Sequence, residues 1–165
     1  MTRKKRSSSG GTINLQIKEP ILAELEIIGP VYSKKNSSNF AWKKGKAIYL
    51  GNPAYNRAKP GYIKQLQTFH NPKKPIHGPI TVWIIVNVRH ERWFKEWTKK
   101  ITPKKYSGTD VDNKLHSIND LLKAARIIHD DCQIVAIHAI KHYGKHNDDY
   151  GARIVISRYL GDSWL

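Results

Sequence analysis

Ile21 to Ile28 is rich in Leu and Ile, with Glu24 and Glu26 alternating among them, and Gly29-Pro30 closes the run. That period-two pattern predicts a half-buried strand at the start of the fold. Ile80 to Arg89 predicts a second one: Ile80, Val82, Ile84, Val86 and Val88 make an apolar face, while Thr81, Asn87 and Arg89 punctuate the other. Asp112 stands where an N-cap belongs, and the residues from there to about Arg126 follow helical spacing. Leu115, Ile118, Leu121, Leu122 and Ala125 fall on one side at 100° per residue, with Asp112, His116, Asp120 and Lys123 on the other. The spacing predicts an amphipathic helix with its polar face outward. Cys132 to Ile140 is apolar at nearly every position, as in a central strand covered on both faces. Gly144 to Gly151 supplies turn residues, and Arg153 to Tyr159 alternates again, so the last two strands are expected to form an antiparallel β-hairpin.

Other stretches carry weaker periodicity. From Val31 to Pro79, basic residues interleave with Phe40, Trp42, Tyr49, Tyr55, Tyr62 and Phe69, broken by Gly45, Gly51, Pro53 and Gly61. Tyr62 to Phe69 fits a short helix, and these aromatics suit either core packing or stacking on unpaired bases. Arg92 to Gly108 mixes Trp93, Phe94 and Trp97 with Lys and Arg, and reads as a basic insertion at about 92–109. Residues 1–11 carry Arg3, Lys4, Lys5 and Arg6 ahead of a Ser/Gly run with nothing to bury, which predicts a disordered basic tail. The expected fold is α+β (mixed α/β): one small domain over 12–165, a mixed sheet of about four strands, and one main helix at about 112–126 packed on it. No internal repeat is visible.

Charge narrows the class of partner. Lys and Arg number 29 against 13 Asp and Glu, for a formal net charge of +16 and a pI near 10.0. Such a chain repels itself, and nucleic acid relieves that repulsion through counterion release. No apolar stretch approaches the roughly 18 residues of a spanning helix, so no membrane partner is expected. The N-terminus lacks the apolar core of a secretory signal, and the single cysteine, Cys132, agrees with a reducing compartment. An intracellular, DNA-associated protein is expected.

Against that basic background, Asp110, Asp112, Asp130 and Asp131 sit at the two ends of one helix-strand unit. Carboxylates there oppose phosphate binding unless a cation intervenes, and Mg²⁺ commonly takes one or two carboxylates plus waters and substrate phosphate. Spacing alone leaves the bland reading open, with Asp112 a helix cap and Asp130-Asp131 a turn. The run Asp110-Val111-Asp112-Asn113, the helix bearing Asp120, and Asp130-Asp131-Cys132-Gln133-Ile134 with Lys141 beyond it resemble the signature of the RusA-type Holliday junction resolvase family. The likeness covers Asp110 to Arg158 well. Gly29 to Ser37 and Gly78 to Arg89 are similar to the family's first strand end and next strand.

The resemblance implies Asp110, Asp112 and Asp131 as catalytic, metal-binding aspartates, with Asp130 and Asp120 as supporting neighbours and Asn113 holding a ligand or backbone group in place. It implies Mg²⁺ as cofactor, with Mn²⁺ able to substitute, and a homodimer that nicks a four-way junction in pairs, leaving 5′-phosphate and 3′-hydroxyl ends. Where the family has a functional Lys four residues after the second Asp, this chain has His116, cationic only if neighbouring carboxylates raise its pKa; Lys123, two turns on, is a candidate substitute. Lys34, Lys35, Lys104, Lys105, Lys114, Lys123 and Lys141 are the expected DNA contacts. Lys141 lies ten strand positions, or roughly 33 Å, beyond Asp131, so it is assigned to DNA rather than metal. His138, His142 and His146 near Cys132 fit no closed zinc motif. Two alternatives stay open: a basic nucleic-acid-binding protein without catalysis, and a related nuclease acting on other branched DNA or on RNA.

Overall fold

A computed structural model describes residues 15–34, 40–49, 51–89, 111–144 and 151–161. The expectations for the basic tail, the 92–109 insertion, Asp110, Lys35, Lys104, Lys105 and His146 lie outside those residues.

The chain order is β1 (Ile21–Ile28), β2 (Phe40–Lys43), β3 (Lys46–Tyr49), α1 (Pro53–Phe69), β4 (Ile80–Arg89), α2 (Val111–Ala124), a 3-10 turn (Asp131–Gln133), β5 (Ile134–Gly144) and β6 (Gly151–Arg158). Strands β1, β6, β4 and β5 form one mixed sheet in that spatial order, and β2 with β3 forms a separate two-stranded ribbon. The β1, β4 and α2 expectations hold to within about two residues.

The core is the space between one face of the sheet and both helices. Ala23, Leu25 and Ile27 of β1, Ile80, Val82, Ile84 and Val86 of β4, and Ala152, Ile154 and Ile156 of β6 alternate onto that face. Helix α1 contributes Tyr55, Tyr62 and Leu66, and α2 contributes Ile118, Leu121 and Leu122, all buried. Three of the positions that the periodicity of α2 turned outward, Asp112, His116 and Lys123, are exposed.

Three expectations need correcting. The last two strands do not form a hairpin: β5 pairs parallel with β4, from Thr81–Ala136 to Arg89–Gly144, and β6 lies antiparallel between β4 and β1. The unit β4–α2–β5 is therefore a crossover that returns the chain in the same direction, which a helix between two strands favours. The central strands are β6 and β4, not β5: on the face away from the core, Thr81, Trp83 and Ile85 of β4 and Val155 and Ser157 of β6 are buried as well. Strand β5 is an edge among the described strands, with Val135 53% and Ile137 41% exposed. Composition misleads here because a run of apolar residues registers hydrophobicity and not the number of neighbours.

The third correction is α1, which runs from Pro53 rather than Tyr62. Asn52 caps it, its side-chain oxygen accepting from the Ala54 N–H at 2.9 Å, with Pro53 as the first helical residue. Pro60 lies inside the helix. The Asn-Pro start signal is present, but Pro53 and Gly61 read as breaks in the pattern. The helix is tied to β1: Gln65 accepts from the Ile28 N–H at 2.7 Å, and the Tyr62 hydroxyl donates to the Pro30 carbonyl.

Candidate functional site

Helix α2 is the axis of the site, and its two ends differ in chemistry. At the N-terminal end Asp112 is exposed in the first turn, where the unpaired N–H groups and the helix dipole favour negative charge. One turn further in, Ser117 is fully buried; its hydroxyl accepts from the Lys34 N–H and donates to the Asn113 carbonyl, both at 2.8 Å. Lys34 Nζ also meets Asp120 at 2.6 Å across partly exposed side chains. The segment after β1 is thereby laid along α2, and Asp120 serves that contact.

Lys114 has a different place from the one its charge suggested. It is buried, its ammonium donates to the Val31 carbonyl, and its pKa is pushed down to about 8, first by burial and then by the charge of Lys141. It holds the protein together instead of standing out toward a phosphate. The influence of Lys141 on it puts the far part of β5 beside the start of α2. Lys141 is thus at the Asp112 end, remote along the strand from Asp131.

The C-terminal end holds the other carboxylates. Helix α2 stops where Arg126 adopts a left-handed conformation (φ 56°), with Arg126 N–H bonded to the Lys123 carbonyl and Ile127 N–H to that of Leu122. The chain then turns into the Asp131–Gln133 3-10 segment, capped by Asp130. Lys123 Nζ reaches Asp130 Oδ2 at 2.7 Å. The Asp130 carboxyl is held well below the usual carboxylate range, first by a hydrogen bond from Asp131, then by Lys123 and the Cys132 N–H. The carboxylate oxygens at this end are the kind of donor that a hard metal ion takes.

Gln133 fixes this end. Its amide nitrogen donates to the Ile76 and Gly78 carbonyls at 3.1 Å each, and its oxygen accepts from the His129 N–H at 2.8 Å and the Asp130 N–H at 3.2 Å. Nothing in the sequence pattern singled this residue out beyond its place after two aspartates. His77 and His129 face each other here, Nε2 to Nε2 at 3.2 Å.

Asp112 and Asp131 therefore stand at opposite ends of α2. From Asp112 to Lys123 the helical rise of about 1.5 Å per residue amounts to roughly 16 Å, and Asp131 lies beyond Lys123. The described residues hold no group of three or more His, Cys, Asp and Glu side chains that could bind a metal ion. His138 stacks on Trp83 at 3.9 Å between ring centroids, and His142 Nδ1 meets Asn87 at 3.2 Å, so both serve the sheet.

Residues 28–157 match the family model of Endodeoxyribonuclease RusA. The chain belongs to that family. The match spans most of the described structure, from the last residue of β1 to near the end of β6, and includes both ends of α2. RusA proteins are Holliday junction resolvases, endonucleases that act on branched DNA, and nucleases of this family generally use divalent metals. No curated protein sequence matches the chain. No helix among the described residues is long and apolar enough to cross a membrane.

Proposed function

We propose that this RusA protein resolves four-way DNA junctions by paired, Mg²⁺-dependent nicks that leave 5′-phosphate and 3′-hydroxyl ends, with Mn²⁺ able to replace Mg²⁺. Asp110, Asp112 and Asp131 hold the metal. The observation that carries the reading is the separation of Asp112 from Asp131 along α2. Carboxylates so far apart in one chain cannot share an ion whose oxygen ligands lie at about 2.1 Å. They share one if Asp131 comes from a second copy.

The exposed edge of β5 supports that arrangement. An edge left unpaired among the described strands, with exposed Val135, Ile137 and Ile140, is a pairing surface. A two-fold axis that sets two such edges side by side runs them antiparallel and brings the Asp131 end of one copy toward the Asp112 end of the other. Two equivalent sites across a two-fold suit a substrate that is cut symmetrically.

Bound there, Mg²⁺ supplies Lewis acidity at the scissile phosphate and lowers the pKa of a water. The protein's own groups do the rest. Asp112 and Asp131 orient that centre, and Asn113 and Asp130 steady them. His116 and Lys123, exposed on the polar face of α2, Lys34 beside Ser117 and Asp120, and Lys141 near the Asp112 end hold the DNA backbone. His116 assists when protonated, so His116→Lys retains activity and His116→Ala slows it.

The test is incubation of the full chain with a labelled four-way junction, with and without Mg²⁺ and with excess chelator. Symmetric nicks that ligase can reseal, lost on chelation while the junction remains bound, are expected. A shifted junction with every strand whole at all Mg²⁺ concentrations contradicts catalysis and leaves a binding protein.

A further inference from the structure

The β2–β3 ribbon departs from ordinary hairpin chemistry at three points. Its two-residue turn is Lys44-Gly45, with φ of 52° and 73°, so a lysine occupies a left-handed position that Asn, Asp or Gly normally fills. Lys43 sits directly opposite Lys46, a like-charged cross-strand pair that repels. Trp42 is 78% exposed, more than any other large apolar side chain among the described residues. A two-stranded ribbon is marginal in water even without such conflicts. Local rules broken together at one place mark a site whose stability is supplied by something else.

Two of these conflicts, the lysine repulsion and the uncovered indole, vanish against the same partner. Phosphates neutralise the three lysines, releasing counterions, and a nucleobase covers the indole face. Stacking needs a base free on at least one side, and a branched substrate offers such bases at its crossover while a continuous duplex does not. The ribbon also stands apart from the four-stranded sheet, so it projects its tip without disturbing the core.

We propose that the ribbon is a stacking subsite for a branch-point base, with Trp42 as the platform and Lys43, Lys44 and Lys46 holding the phosphates beside it. It deepens the branched-DNA reading above and rests on it. Trp42 positions the substrate and takes no part in the chemistry.

The experiment measures equilibrium binding of the full chain to a four-way junction and to a duplex of equal length, in chelator so that nothing is cut. The proteins are wild type, Trp42→Ala, Trp42→Phe and the triple Lys43→Gln, Lys44→Gln, Lys46→Gln. Trp42→Ala is expected to weaken junction binding by about 5-fold to 100-fold and duplex binding by less than about 2-fold, with Trp42→Phe close to wild type. The triple variant is expected to weaken both and to lower the slope of log affinity against log salt by about 2 to 3. A junction carrying 2-aminopurine at the crossover reports the stack directly: wild type quenches it and Trp42→Ala does not. Equal junction affinity and equal quenching for wild type and Trp42→Ala overturn the subsite while the nicking activity stands. Equal affinity of wild type for junction and duplex overturns the branched-DNA reading and the subsite with it.

Discussion

Lys123 and Asp130 meet at 2.7 Å, about three helical turns from Asp112. That contact anchors the second aspartate pair at the far end of α2 and gives neighbouring residues Asp130 and Asp131 different work. Asp130 also accepts from the Cys132 N–H as the cap of the 3-10 turn, so its oxygens are committed within the protein.

The pair should accordingly separate under mutation. Asp131→Asn and Asp112→Asn are expected to lower single-turnover nicking of a four-way junction by at least about 100-fold, while junction binding stays equal or tightens as negative charge is removed. Asp130→Asn is expected to be milder, because an amide still caps the turn. Single-turnover cleavage with saturating protein checks this. An essential Asp130 beside a dispensable Asp131 reverses the assignment.

Gln133 offers a test of how Asp131 is held. Gln133→Ala leaves the Ile76 and Gly78 carbonyls and the His129 and Asp130 N–H groups without their partner. The expected cost is about 1 to 3 kcal/mol of stability by urea unfolding. Cleavage should fall further than the fraction unfolded explains, with junction affinity little changed. Wild-type cleavage in a folded Gln133→Ala protein shows instead that Asp131 needs no such support.

A pH prediction follows from Tyr55. Burial, then the charge of Asp120 and then Tyr62, pushes its hydroxyl up to about 12, while an unfolded tyrosine titrates near 10. With the folded pKa the higher, the Tyr55 contribution is fully present below pH 10 and is lost as pH rises through 12. Its hydroxyl is also a buried group with no hydrogen-bond partner among the described residues. Tyr55→Phe is therefore expected to be as stable as wild type at neutral pH and to lose stability less steeply between pH 10 and 12. Parallel curves from chemical unfolding across that range contradict the assignment.

Much of the fold was legible where period and burial coincide. Leu115, Ile118, Leu121, Leu122 and Ala125 repeat at helical spacing because one face of α2 meets the sheet. Strand neighbours were not legible, because pairing is a long-range choice: Cys132 to Ile140 reads as a central strand, yet among the described strands only β4 lies beside it. The proposed site rests on the family pattern of its aspartates, and spacing by itself left caps and turns as open readings. What no pattern carried was distance. Asp112 and Asp131 read as partners in sequence, and only the straight run of α2 sets them apart. Lys114 shows the same limit from the other side, since a lysine on a polar-looking stretch turns inward to the Val31 carbonyl.

The central claim is that one metal site draws Asp112 from one copy and Asp131 from another. It is tested most directly by coexpressing Asp112→Asn with Asp131→Asn, each inactive alone, and measuring Mg²⁺-dependent junction nicking. In a shared-site dimer, a mixed pair carries one intact site and one doubly altered site. Nicking should then return to about a quarter of the wild-type site content, as single rather than paired cuts. A coexpressed mixture as inactive as either variant alone would contradict the shared site and place both aspartates' work within a single chain.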